Sequence, residues 1–245
     1  MIRGTTTLVG LLGWPTSHSL SPRMQNAAFA ALGLDWAYVP LPTPPESLPD
    51  AVRGLVASGF AGANVTIPHK QAVIPLCDEL DEVAERAGSV NTLVVRDGRV
   101  LGASTDGAAV TDQIEAHGRR ALVLGTGGAA KAVADALAGV GAEVVVRGRR
   151  DGDWPPTGDG FDVLVNCTPV KDELVVSPAP GMQVVDLAYN ADGSATALVA
   201  AAHTAGCDIV VDGLDVLLFQ GVASFERWTG LPAPIQTMRD ALRGA

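Results

Sequence analysis

With 245 residues, 47% of them hydrophobic and 28 of them glycine, the chain is long enough for one large domain or two small ones, each with its own core. Its formal net charge of −10 excludes a basic nucleic-acid face and attraction to anionic membranes, both of which need clustered positive charge. An acidic ligand remains open to it wherever a site is locally positive.

In chain order, a strand is expected over residues 5–12, then a helix over 22–32 that Pro22 opens and Gly33 stops. A short strand follows at 36–39, a helix at 48–57 ended by Gly59, and a strand at 61–67 closed by Pro68. The pattern then predicts a short helix from His69 to Ile74, a second over 78–87, and a strand at 89–95 that turns through R-D-G-R into a hairpin. A further helix is expected from G-A-S-T-D-G to Ala116. Alternating strands and helices imply a mostly parallel sheet. A second βαβ series starts at Arg120: strand, helix 127–139, strand 142–146, strands at 161–166 and 183–187, helix 196–205 and a strand at 208–211. The tail from 217 reads as helical, broken at T-G-L-P-A-P (229–234).

G-T-G-G-A-A (125–130) lies directly after a strand and opens a helix. Gly125, Thr126, Gly127, Gly128 and Ala129 there let the backbone and the helix N-terminus meet a pyrophosphate; the plainer reading is an ordinary tight βα turn. The next strand ends in R-G-R-R, where a protein that prefers NAD usually carries an acidic residue for the ribose 2′-OH. Arg147, Arg149 and Arg150 instead offer charge to a 2′-phosphate, which favours NADP, although a solvated turn would look the same.

Two polar loops stand out earlier. Ser19 and Ser21 alternate around Leu20, and in an extended segment both hydroxyls share a face that suits a carboxylate or polyol. Ser21 also precedes Pro22 and reads equally well as a helix N-cap. Lys70 closes N-V-T-I-P-H-K; a lone lysine is commonly a surface residue, but Asn64, Thr66 and Asn91 are likewise polar groups at strand ends, where open α/β sheets bind ligands. Asp106, in S-T-D-G, is a helix N-cap candidate. The three cysteines show no C-x-x-C pair, so neither a disulfide framework nor a metal site is expected. No apolar run reaches the roughly 18–20 residues that span a bilayer. The N-terminus lacks a signal-peptide segment and K-D-E-L at 171–174 is internal, so a cytoplasmic protein is expected.

Taken together, G-W-P-T-S-H-S-L-S-P-R-M-Q-N-A-A-F (13–29), N-V-T-I-P-H-K (64–70), G-S-V-N-T (88–92), S-T-D-G (104–107), G-T-G-G-A-A (125–130), D-L-A-Y-N (186–190) and L-L-F-Q-G-V-A-S-F-E-R-W-T-G (217–230) resemble the shikimate dehydrogenase family over nearly the whole chain. The resemblance implies two α/β domains around a cleft. Residues 1–104 and 219–245 would form the substrate-binding domain, to which the C-terminal helices return, and 105–218 a Rossmann-type NADP-binding domain. It implies that Ser19, Ser21 and Tyr189 hold a substrate carboxylate, that Thr66, Asn91 and Gln220 bond ring hydroxyls, and that Lys70 and Asp106 form the catalytic pair. It also implies that Arg149 meets the 2′-phosphate and that Leu187 and Gly213 line the nicotinamide side. The implied reaction is reversible reduction of 3-dehydroshikimate to shikimate by NADPH, in a monomer or homodimer. Rival readings are a relative acting on quinate or an amino-shikimate, and a non-catalytic NADP-binding relative. The chain departs from the family's pattern at 151–160, D-G-D-W-P-P-T-G-D-G, where a prolyl pair forbids the usual helix and the adenine side is expected to be open. It departs again at Lys171, which stands where relatives often carry a glycine, and in G-L-D-V-L-L (213–218), which lacks a methionine many relatives have.

Overall fold

The computed structural model describes residues 2–244. They fall into two compact units: one takes the chain up to Thr105 and again from Leu218, the other is Asp106–Leu217.

The first unit contains β1 (Thr7–Gly13), α1 (Ser21–Ala31), β2 (Trp36–Pro42), α2 (Leu48–Ala57), β3 (Gly62–Val65), β4 (Glu79–Leu80), α3 (Glu82–Ala87), β5 (Thr92–Arg96) and β6 (Arg99–Ala103). Its six strands run in the order β2-β1-β3-β5-β6-β4. β1 is parallel to β2 and β3, and β6 to β4, while β5 is antiparallel to both its neighbours. The expected hairpin is present: Asp97 and Gly98 both take positive φ, 52° and 75°, as a two-residue turn between twisted strands requires. α2 buries Leu48, Val52 and Leu55, spaced to share one helix face, in a cluster with Leu12, Val65 and Leu93 of the sheet. Elsewhere in this unit Phe29 of α1 stacks on Phe225 at 5.3 Å between ring centroids. Phe225 belongs to α7 (Gly213–Thr229), within which the division between units falls, and α8 (Ile235–Arg243) packs against α1.

The second unit comprises α4 (Ala108–Thr111), β7 (Arg120–Leu124), α5 (Gly128–Gly139), β8 (Glu143–Arg147), β9 (Val163–Asn166), β10 (Gln183–Asp186), α6 (Ala197–Ala205) and β11 (Ile209–Val211). Its sheet is entirely parallel, in the Rossmann-type order β11-β10-β9-β7-β8, so β8 is an edge. Residues 148–162 cross from β8 over β7 to β9 without a helix. Trp154 stands in for one, packing on the cluster of Leu122, Leu124 and Leu164. The crossover is fastened at both ends: Arg147 Nε donates to Asp153 Oδ2 at 2.8 Å, and Arg120 Nη1 donates to the Gly160 carbonyl at 2.8 Å.

Three predicted helices are corrected. Residues 70–73 form turns that lead into a short 3-10 turn, Ile74–Leu76, because the Lys70 carbonyl accepts from Val90 N at 2.8 Å and is lost to any local ladder, and Pro75 brings no donor. Of 78–87 only α3 is helical. Asp78 N donates to the Val100 carbonyl, β4 pairs with β6, and Asp81 caps α3 by accepting from Ala84 N at 2.7 Å. The helix expected to reach Ala116 stops at Thr111, since the Gln183 side chain brackets Glu115, accepting from its N–H at 2.8 Å and donating to its carbonyl at 3.0 Å.

Candidate active site

In the first unit several of the polar strand ends named above are hydrogen-bonded to one another. Asn91 is 2% exposed; its Nδ2 donates to Thr105 Oγ1 at 2.8 Å and its Oδ1 accepts from Thr105 N at 2.9 Å, so both faces of its amide are occupied. Its carbonyl accepts from Val65 N, and next to it Val90 N reaches the Lys70 carbonyl, so Lys70 and Asn91 are held at the same end of the sheet. Thr105 Oγ1 donates to the Gln220 carbonyl at 3.1 Å. Thr66 N donates to the Leu12 carbonyl, and the Thr66 carbonyl accepts from His69 N. The His69 ring is fully buried with Nε2 at 2.7 Å from the Thr43 carbonyl, which anchors the turn that presents Lys70. Gly13 is needed here: a Cβ would lie 2.3 Å from the Thr66 methyl and 3.2 Å from that of Thr16. Thr16 in turn accepts at its carbonyl from Ser19 N. Asn91 and Gln220 are thus joined through Thr105, Lys70 is held by the neighbouring Val90, and Thr66 and Ser19 are fixed by bonds of their own to Leu12 and Thr16.

Ser19 and Ser21 are not related as the extended reading expects. Leu20 is αR, and the two serines are joined by a local turn in which Ser21 N donates to Ser19 Oγ at 3.3 Å. No side chain caps α1; Ser21 is buried within its first turn, so the N-cap alternative fails. Asp106 opens the second unit directly after the pinned Thr105 and is buried, 5% exposed. Its N-cap alternative fails too, for the N-cap position of α4 is Gly107.

Sequence reasoning missed part of the framework. Asn64 accepts from Tyr38 OH at 2.9 Å and donates to the Asn91 carbonyl at 3.1 Å and to Ser224 Oγ at 2.9 Å; Ser224 Oγ also lies 2.8 Å from Thr92 Oγ1. Ser224 fastens α7, and with it Gln220 one turn away, to β3 and β5. A serine amid the buried Leu218, Val222 and Phe225 of α7 was the available signal.

In the second unit the predicted cofactor residues gather at the C-terminal ends of the parallel strands. Gly125 has φ of 113°, beyond β-carbon residues' usual reach, and its N donates to the Arg147 carbonyl at 2.7 Å. Gly127 is extended with no side-chain cap on α5, and a Cβ there would meet nothing within 4 Å, so the backbone at the start of α5 has open space beside exposed Thr126. That is what a pyrophosphate needs, and the turn fits one. Leu187 and Tyr189 follow β10, and Gly213 lies so near that a Cβ would sit 2.3 Å from the Ala188 carbonyl oxygen. Arg149 and Arg150 are exposed, whereas Arg147 is engaged by Asp153, whose carboxyl is lowered from its ordinary pKa chiefly by that hydrogen bond.

A second unanticipated residue is Asp186. Fully buried at the end of β10, it accepts from Asn166 Nδ2 at 2.8 Å, Ala188 N at 3.0 Å and Thr196 Oγ1 at 2.5 Å. Burial pushes its pKa up against the opposing pull of those donors. It sets the start of the 187–190 segment. Among the described residues no group of His, Cys, Asp and Glu is placed to hold a metal ion, and no helix is long and apolar enough to cross a membrane.

This geometry has known counterparts. Residues 11–93 match the model of the shikimate dehydrogenase substrate binding domain, and 213–243 that of the shikimate 5′-dehydrogenase C-terminal domain. A shikimate dehydrogenase (NADP(+)) from Rubrobacter xylanophilus is 44% identical, the alignment covering 99% of this chain and 98% of that protein. The crystal structure of shikimate dehydrogenase from Aquifex aeolicus is similar at a TM-score of 0.91 and 32% identity, covering 99% of this chain and all (100%) of that one. So is the Thermus thermophilus shikimate 5-dehydrogenase in complex with NADP(H) and shikimate, at a TM-score of 0.84 and 32% identity over 97% of this chain and 99% of that one. On full-length similarity in sequence and in fold, the chain belongs to the shikimate dehydrogenase family.

Proposed function

We propose that the chain is an NADP-dependent shikimate dehydrogenase that interconverts 3-dehydroshikimate and shikimate on the route to chorismate and the aromatic amino acids, acting in the cytoplasm as a monomer or homodimer. The observation that carries the reading is the fixed end of the first sheet, where Asn91 is held by Thr105, Gln220 is joined to it through Thr105, and Lys70 is held by the adjacent Val90. A small polyol needs partners that are already fixed, because an unsatisfied buried polar group costs about 1–3 kcal/mol. Thr66, Asn91 and Gln220 take the ring hydroxyls, and Ser19, Ser21 and Tyr189 the carboxylate. Residues 125–129 hold the pyrophosphate, and Leu187 and Gly213 flank the nicotinamide.

When bound, NADPH supplies the hydride that reduces the substrate carbonyl. Lys70 manages the proton. Its ammonium polarises the carbonyl oxygen and then surrenders a proton as that oxygen becomes an alkoxide. In the oxidising direction the same group receives the hydroxyl proton. Asp106 is the carboxylate paired with it in this assignment; it orients the ammonium and accepts from a substrate hydroxyl.

The test is to mix the protein with shikimate or quinate and with NADP or NAD, and to follow nicotinamide absorbance. Rapid reduction of NADP by shikimate is expected. Turnover confined to quinate or to NAD would replace the substrate or cofactor assignment, and no turnover with any pair would overturn the enzymatic reading.

A further inference from the structure

We infer that Asp153 is a cofactor-selectivity residue: it draws the Arg147 guanidinium into an ion pair, withholding that charge from a 2′-phosphate and leaving discrimination between NADP and NAD to Arg149 and Arg150. The inference rests on the assignment of NADP to the second unit.

The geometry behind it is local. Gly148 to Asp151 form a tight turn closed by Asp151 N donating to the Gly148 carbonyl at 3.0 Å, and Asp151 Oδ2 accepts from Gly148 N at 2.7 Å. Arg149 and Arg150 occupy the two central positions of that turn and are exposed. A Cβ at Gly148 would lie 2.6 Å from the Thr126 methyl, so the turn rests directly on the glycine-rich loop. This brings the two corner arginines to the loop that would hold the pyrophosphate. Arg147, one residue before the turn, goes elsewhere. Its Nε donates to Asp153 at 2.8 Å, its Nη1 donates to the Val146 carbonyl at 3.0 Å, and the side chain is only 35% exposed. Both residues line a cleft of about 530 Å³ with Trp154, Pro155 and Phe161. The pair is net neutral, so at the distance of a bound phosphate its field largely cancels. Asp153 belongs to the helix-free crossover, so the same short segment that replaces a helix also supplies the charge that occupies Arg147.

Calorimetric titration with 2′,5′-ADP and with 5′-ADP reads the 2′-phosphate alone and needs no turnover. The unmodified protein should bind 2′,5′-ADP more tightly. In Asp153→Asn the affinity for 2′,5′-ADP should rise about three- to tenfold, with a steeper loss in salt, while that for 5′-ADP stays within about twofold, as expected for one unit charge released near a dianion in a high-dielectric setting. Arg147→Met should leave 2′,5′-ADP affinity within about twofold, and Arg149→Met should lose most of the preference. Unchanged or weakened 2′,5′-ADP binding in Asp153→Asn, or a tenfold loss in Arg147→Met, would overturn the inference while leaving NADP as the cofactor. An unmodified protein that binds both nucleotides equally would instead sink the NADP assignment and the inference with it. Retained 5′-ADP affinity confirms that each variant is folded.

Discussion

Lys70 sits on a turn whose backbone is fixed at Val90 and His69, so replacing its side chain should leave the neighbouring strand ends in place. Lys70→Met keeps the apolar stem and removes the proton. Turnover should fall at least about 100-fold while KM for shikimate moves little, because the lost interaction grows as charge develops on the oxygen. Steady-state kinetics in both directions check this; a variant with near-normal turnover would remove Lys70 from the chemistry. Asp186 makes a prediction of a different kind. Burial raises its folded pKa, so the protonated carboxyl is the form the fold prefers. Its contribution to stability is fully present below the unfolded value near 3.9 and is lost as pH rises through the raised folded value. Asp186→Asn cannot titrate and can still accept from Asn166 and Ala188. Its stability relative to the parent should therefore improve between pH 4 and pH 7, as measured by urea unfolding at each pH; parallel profiles would show that the proton is bound elsewhere. At this scale the sequence displayed the residues whose requirement is local. Gly125 had to be glycine to turn from β7 into α5, and R-G-R-R announced its charge. It hid pairings between distant positions. Nothing next to Asp153 or Arg147 in the chain says that the two would be partners, and Ser21 looked like a cap until the Leu20 backbone proved helical.

Among the elements, those with a strong pattern of their own formed where expected: α2, α5, the parallel strands of the second sheet and the D-G hairpin. The predicted helices that failed did so because a backbone group was claimed from elsewhere, the Lys70 carbonyl by Val90 and the Glu115 N–H by Gln183. Such claims are invisible to periodicity. The attachment of α7 offers a test. Trp228 Nε1 donates to the Leu93 carbonyl at 2.9 Å, and Gly62 makes room for it. A Cβ at Gly62 would stand 2.1 Å from the Leu93 oxygen and 2.6 Å from Trp228 Nε1. Backbone and a buried indole cannot yield cheaply, so Gly62→Ala should cost about 1–3 kcal/mol or more. Trp228→Phe, which removes this hydrogen bond and part of a buried ring's volume, should cost about 1–3 kcal/mol. Thermal melts of both variants decide it, and a Gly62→Ala protein as stable as the parent would show that β3 can shift freely.

For the molecule as a whole, a net charge of −10 means that an anionic nucleotide binds against the average field. NADP at 100 times its Kd should stabilise the chain by about 2.7 kcal/mol, and NAD at the same concentration by less. Thermal shifts at matched concentrations read the difference, which should shrink as salt is added; equal shifts would argue against any contribution of the 2′-phosphate. The division into units has a consequence for synthesis. The first unit is written in two pieces. Asn64 waits for Ser224, 160 residues later, and Gln25 Nε2 waits for the Gly221 carbonyl, 196 residues later. The second sheet is complete in the emerging polypeptide once β11 has been made, before most of α7 exists. On a ribosome that releases about 5–20 residues per second, the part of the message translated first is therefore finished last. The strand ends that carry Lys70 and Asn91 gain their final support only when α7 leaves the exit tunnel, so a nascent chain completes its Rossmann-type sheet before the older part of the polypeptide is fully braced.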